Sequence, residues 1–154
     1  DTRYLFNNTA LDILAVAGAM LDGEIEYRAG NHDSAWRHLR RAIELDDTLP
    51  YDEPWGWMQP TRHAYGALLL EQNDVEAAHA VYAADLGLDG TLARACQHPN
   101  NVWSLHGYHE CLVRLGRTDE AREIEPQLDA ALARADVEIT SSCFCRLHHM
   151  ELPG

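Results

Sequence analysis

Long apolar runs are missing from this 154-residue chain. A membrane-spanning helix needs about 20 consecutive apolar residues. The longest run here, residues 10–21 (ALDILAVAGAML), is shorter and carries Asp12, so it suits a buried helix. No basic stretch precedes it, which argues against a secretory leader. Positive charge is scarce as well: 12 Lys plus Arg stand against 25 Asp plus Glu, for a net charge of −13. Phosphate backbones and anionic membrane surfaces would repel such a chain, so neither nucleic acid nor membrane is expected as a partner. The four cysteines, Cys96, Cys111, Cys143 and Cys145, do not form the framework of a small secreted domain. Cys143 and Cys145 stand too close for a structural bridge, and all four are expected to be reduced thiols in a cytoplasmic protein.

The common catalytic motifs are absent too. There is no Walker loop, no G-x-S-x-G elbow, no H-E-x-x-H and no dinucleotide fingerprint. In His106–Gly–Tyr–His109–Glu110 the histidines are three apart rather than four, and the glutamate is misplaced for a metalloprotease. Most carboxylates fall at expected turns and outer faces, where solvation accounts for them.

What the chain does have is a period. Gly23, Gly30, Ala35, Leu39 and Ala42 are followed 43 residues later by Gly66, Asn73, Ala78, Tyr82 and Asp85. A further 43 residues on stand His109, Gly116, Ala121, Glu125 and Leu128. Periods of 20 to 50 residues mark stacked supersecondary units. Within a unit the spacing is helical: Ala35, Leu39, Ala42 and Ile43 share one helix face. Helices are expected over about 10–29, 58–72, 75–86, 100–115 and 119–134, with another following the turn at Gly30–Asn31. Gly30, Asn73 and Gly116 suit left-handed turn positions, Asn31 and Thr118 suit helix caps, and Pro126 should kink or split the last helix. With 46% hydrophobic residues, 1–154 is expected to form a single domain, with units of about 10–46, 58–86 and 100–134 and a tail of 135–154.

The series Gly23–Gly30–Ala35–Leu39 and Gly66–Asn73–Ala78–Tyr82 resembles the tetratricopeptide repeat, a helix–turn–helix unit in which small residues let two helices approach and a large one fills the gap. The resemblance covers about residues 16–134 and implies an all-α, right-handed superhelix (solenoid) of three helix pairs, after which the chain is expected to end in a C-terminal extended tail. The usual tetratricopeptide period is 34, so each unit carries about nine extra residues. Unit three has His109 in place of glycine and Glu125 in place of the large apolar residue, as a terminal unit would. That degradation, and an opening at Asp1 without methionine, lead us to expect a C-terminal fragment of a longer array. The insertions, Asp46–Pro60 and Leu86–Asn100, together with Arg62–His63 and Val102–His106, also resemble long bacterial and fungal tetratricopeptide proteins, which implies no activity. Trp55, Trp57 and Met58 either pack over helix ends or form a lid.

If the resemblance holds, the first helix of each unit lines a concave groove. The groove positions are then Met20 and Glu24, His63 and Ala67, and His106 and Glu110. Tyr27, Arg62 and Trp103 would add anchors for a protein or peptide partner, and the acidic balance favours a basic one. A different class of reading is a metal-binding protein or metalloenzyme. His63 and His106 occupy equivalent places 43 residues apart, packed helices lie about 8–10 Å apart, and two imidazoles in one groove could converge on an ion. The tail from Cys143 through Cys145 to His148 and His149 offers soft ligands for Zn or Cu. Residues 136–145 alternate and are expected to be extended, folding back over the groove. The plain alternatives are polar groove lining for the histidines and a Cys–Phe–Cys plug for the tail. His32, His38 and His79 are expected on outer faces, and His109 between helices.

Overall fold

The computed structural model describes residues 3–146. Among the described residues six α-helices carry the fold, and the one sheet is a hairpin of β1 (Tyr4–Leu5) and β2 (Asn8–Thr9). Two compact units divide the chain, residues 1–61 and residues 62–154. Among the described residues no helix is long and apolar enough to cross a membrane.

In the first unit, α1 (Ala10–Arg28) is capped by Thr9, whose hydroxyl accepts from the Asp12 amide, and it packs on α2 (His32–Asp46). Val16, Met20, Gly23 and Tyr27 form the buried face of α1, and Ala35, Leu39 and Ala42 that of α2. The insertion after α2 is pinned to the hairpin through buried Asp52. Its carboxylate accepts from the Asn7 amide (3.1 Å) and the Asn8 side chain (2.8 Å). Trp57 directs its indole N–H at the Met20 sulfur, 3.0 Å away, whereas Trp55 and Met58 are exposed. The insertion therefore packs on its own unit through Trp57. The Gln59–Pro60 step explains why α3 starts at Thr61 rather than near 58: a residue before proline is held out of the helical region.

The second unit contains α3 (Thr61–Glu71), α4 (Val75–Leu86), α5 (Val102–Arg114) and α6 (Thr118–Leu132). The second insertion leaves α4 through left-handed Gly87 and includes a short 3-10 turn, Arg94–Cys96. Helix α4 packs on α5 and α5 on α6. Pro126 does not split α6. The carbonyl that the prolyl nitrogen cannot serve belongs to Arg122, an exposed residue. Thr118 is the first residue of α6 rather than its cap, and the Asn31 side chain makes no capping bond.

The period is visible in the backbone. The amides of Asn31, Asp74 and Arg117 each bond the carbonyl five residues back, of Glu26, Leu69 and Leu112, at 2.9 Å. In each turn the preceding residue (Gly30, Asn73 or Gly116) is left-handed. The contact that follows each turn recurs too. A Cβ on Gly23 would lie 2.7 Å from the Leu39 Cγ, and one on Gly66 would lie 2.6 Å from the Tyr82 ring. At the third occurrence His109 Nε2 faces Glu125 Oε1 at 3.5 Å, so two polar side chains stand where the small–large fit stood.

The tail expected to be extended is instead a series of bends and turns, with Ser141, Ser142, Cys143 and Arg146 buried. An extended strand needs a partner edge, and these residues bond to side chains of α4 and α5 instead.

Candidate functional site

Helix α4 repeats buried positions at Val75, Ala78, Tyr82, Ala83, Asp85 and Leu86. Asp85 thus puts a carboxylate in the slot filled by Ala42 and Leu128 elsewhere in the period. Buried ionised groups need hydrogen-bond partners, and three side chains supply them. His98 Nδ1 lies 2.8 Å from Asp85 Oδ1, His63 Nε2 lies 3.1 Å from Oδ2, and the Ser104 hydroxyl donates a short bond to Oδ2. The second insertion reaches this point because Gly87 turns the chain and the His98 amide then donates to the Asp85 carbonyl at 2.6 Å. All four side chains are buried.

The donor pattern fixes the protons. An ionised carboxylate only accepts, so His98 carries a proton on Nδ1 and His63 one on Nε2. Ser104 Oγ lies 2.7 Å from the same His63 Nε2. In a hydrolytic triad the serine and the acid sit on opposite ring nitrogens; here they share one, and the hydroxyl is sealed from solvent. The cluster is built to hold a carboxylate rather than to activate a nucleophile. Burial acts to raise the Asp85 carboxyl, but the hydrogen bonds and charges of His63 and His98 outweigh it and hold the carboxyl well below the usual range.

Beside this cluster the tail meets α4 and α5. Tyr82, buried where both Gly66 and Gly107 leave room for its ring, donates to Ser142 Oγ at 2.6 Å. Phe144 stands edge-on to Trp103, with ring centroids 4.8 Å apart. Arg146 grips Glu110 in a two-pronged pair of 2.7 and 3.2 Å, and Arg114 adds a bond of 3.0 Å to the same carboxylate. Burial acts to raise Glu110, yet the two guanidinium groups hold it below its ordinary value.

Comparison of the chain with protein-family models, characterised proteins and solved structures finds no match. Geometry alone therefore sorts the residues singled out in the sequence. In the first unit Glu24 is half-buried, its carboxyl pushed up by burial and pulled back by Arg28. Tyr27 is buried in a stack with His32 (5.0 Å) and Trp36 (5.5 Å), which makes it a core residue rather than an exposed anchor. In the second unit Arg62 is also buried, so it offers no free guanidinium surface to a partner. Trp103, His106 and Glu110 are half-buried. His63 is committed to Asp85 and Ser104.

The thiols expected at Cys143 and Cys145 are joined in a disulfide, which removes both as thiolate ligands. Neither Cys96 nor Cys111 is in a disulfide, and burial pushes the Cys111 thiol up to about 12. His148 and His149 lie outside the described residues. Among the described residues no group of three or more His, Cys, Asp or Glu is arranged to hold a metal ion. Sequence reasoning missed Asp85, His98 and Ser104; the available signal was Asp85's place in the period, a charge in the slot that Ala42 and Leu128 fill.

Proposed function

We propose that the chain is a tetratricopeptide-like interaction module, a right-handed superhelix of three helix pairs that binds a peptide segment of a protein partner. Two observations support its repeat character, the turn and the helix contact that recur every 43 residues. The observation that carries peptide binding is that the α4–α5 surface already holds a short non-helical segment in cis. Residues Ser142, Phe144 and Arg146 alternate along that segment and engage Tyr82, Trp103 and Glu110. A buried bidentate arginine such as Arg146 is among the side chains that dominate binding energy at interfaces, while the exposed Phe144 covers the edge of Trp103. An arginine-bearing ligand also fits the net charge of −13.

A cytoplasmic location belongs to the same proposal, and the Cys143–Cys145 bridge stands against it, because cytosolic thiols are kept reduced. The zinc or copper reading draws no support from the geometry.

The test uses a synthetic hexapeptide copying residues 141–146, with serine at both cysteine positions, titrated by calorimetry into the full chain. A chain carrying Phe144→Ala and Arg146→Ala, with its own segment loosened, should bind the peptide saturably. The wild type should bind it at least about tenfold more weakly because the surface is occupied. Adding Trp103→Ala to the loosened chain should abolish binding while leaving helical content intact. A folded, loosened chain that binds no peptide ends the reading.

A further inference from the structure

Helix α1 is apolar on two opposite faces. One, Val16, Met20, Gly23 and Tyr27, is buried in its own unit. The other runs Leu11, Leu14, Gly18, Leu21 and Ile25, with the four large side chains 66%, 64%, 61% and 55% exposed. Its steps of three, four, three and four residues are those of a coiled-coil seam, and the stripe is about 20 Å long. Helices that are apolar all round belong in interiors, so this face calls for a cover.

The face is complementary to itself. Beyond its own stretch of helix nothing lies within 4 Å of where a Cβ on Gly18 would stand, so Gly18 is an open notch in the stripe. In an antiparallel pair of such helices the layers alternate between the two seam positions. Leu21 of each copy then meets Gly18 of the other, and Leu14 meets Ile25. A large side chain fills the notch twice, as Leu39 fills the space at Gly23 within one chain. In a parallel pair Gly18 would face Gly18 and leave a void. The charges agree with the antiparallel choice. Asp22 and Glu24 flank the stripe, and in that register they stand opposite Ala15 and Ala17 of the copy rather than opposite each other. Opposed helix dipoles add a further small gain.

We infer that the exposed α1 face is a two-fold interface, through which two copies of this chain pair antiparallel with Leu21 of each seated at Gly18 of the other. The inference is independent of the peptide-binding reading and survives its failure.

Sedimentation equilibrium on the full chain tests it. The wild type should be a dimer at about 100 µM. Leu21→Glu should be a monomer with nearly unchanged circular dichroism and thermal midpoint, because Leu21 is 61% exposed in its own chain. Gly18→Leu separates the two orientations: it blocks the notch and weakens an antiparallel dimer, but fills the void of a parallel one and strengthens it. A monomeric wild type, a Leu21→Glu chain that stays dimeric, or a Gly18→Leu chain that dimerises more tightly would each overturn the inference.

Discussion

The two insertions, Asp46–Pro60 and Leu86–Asn100, are equally long and each closes on one buried aspartate, but the parts are exchanged. In the first, the loop brings the acid: Asp52 accepts from Asn7 and Asn8, which precede α1. In the second, the helix brings the acid: Asp85 stays on α4, and the loop supplies His98 while α3 and α5 supply His63 and Ser104. A carboxylate inside a protein is tolerable only when its oxygens are filled with donors. Either insertion can therefore be read as a loop folded by one acid's demand. What differs is the donor chemistry, amides in one and imidazoles in the other, and with it the sensitivity to substitution and to acid.

The largest effect should come from removing the two acids in turn. Asp85→Ala leaves two imidazole N–H groups and a hydroxyl facing an empty, sealed space, and breaking such a buried ionic cluster costs about 3–5 kcal/mol. Asp52→Ala strands neutral amide donors nearer the surface, at about 1–3 kcal/mol. Urea unfolding at neutral pH measures both. If Asp52→Ala proved as damaging as Asp85→Ala, the ionic cluster would be no more than an ordinary polar contact.

Acid should sharpen the difference. The folded Asp85 carboxyl is held below its ordinary value, so the unfolded chain takes up the proton first. Its contribution to stability is complete above about pH 4, the usual carboxyl range, and is lost as the pH falls further toward the lower folded value. Asp85→Asn lacks that contribution at every pH. The stability gap between wild type and Asp85→Asn should therefore be widest near pH 6 and narrow as the pH falls from about 4 toward 2. A gap that stays constant down to pH 2 would mean that Asp85 is not ionised in the folded chain.

How much of this the sequence disclosed depends on how local each feature is. The period of 43 was legible because Gly30, Asn73 and Gly116 sit where a left-handed residue must end a helix, and because Gly23 and Gly66 face a large side chain 16 residues on. The mainly helical content follows from the same local cues, whereas they leave Trp55, Trp57 and Met58 between packing and a lid; Trp57 packs, and Trp55 and Met58 are exposed. The Asp85 cluster was half legible. Comparing Ala42, Asp85 and Leu128 exposes the acid in an apolar slot, but His98 arrives only through the geometry at Gly87, which no spacing rule encodes. His63 was singled out as groove lining, yet its ring is committed to Asp85 and Ser104. Tyr27 and Arg62 were chosen as anchors by type, and burial overrules type. The tail's contacts with Tyr82, Trp103 and Glu110 join positions 36 to 60 residues apart, beyond the reach of any repeat alignment.

The smallest effect should come from making the second insertion resemble the first. The amide nitrogen of asparagine can stand close to where His98 Nδ1 stands, so His98→Asn keeps a donor for Asp85 Oδ1 while removing the ring. It should cost only about 1 kcal/mol, the scale of one exchanged hydrogen bond. His98→Ala, which leaves that oxygen without its donor, should cost roughly 2–3 kcal/mol. Unfolding of the two variants side by side decides whether the second loop needs an imidazole or merely a donor. Equal losses would show that the ring's packing, and not its bond to Asp85, holds the loop in place.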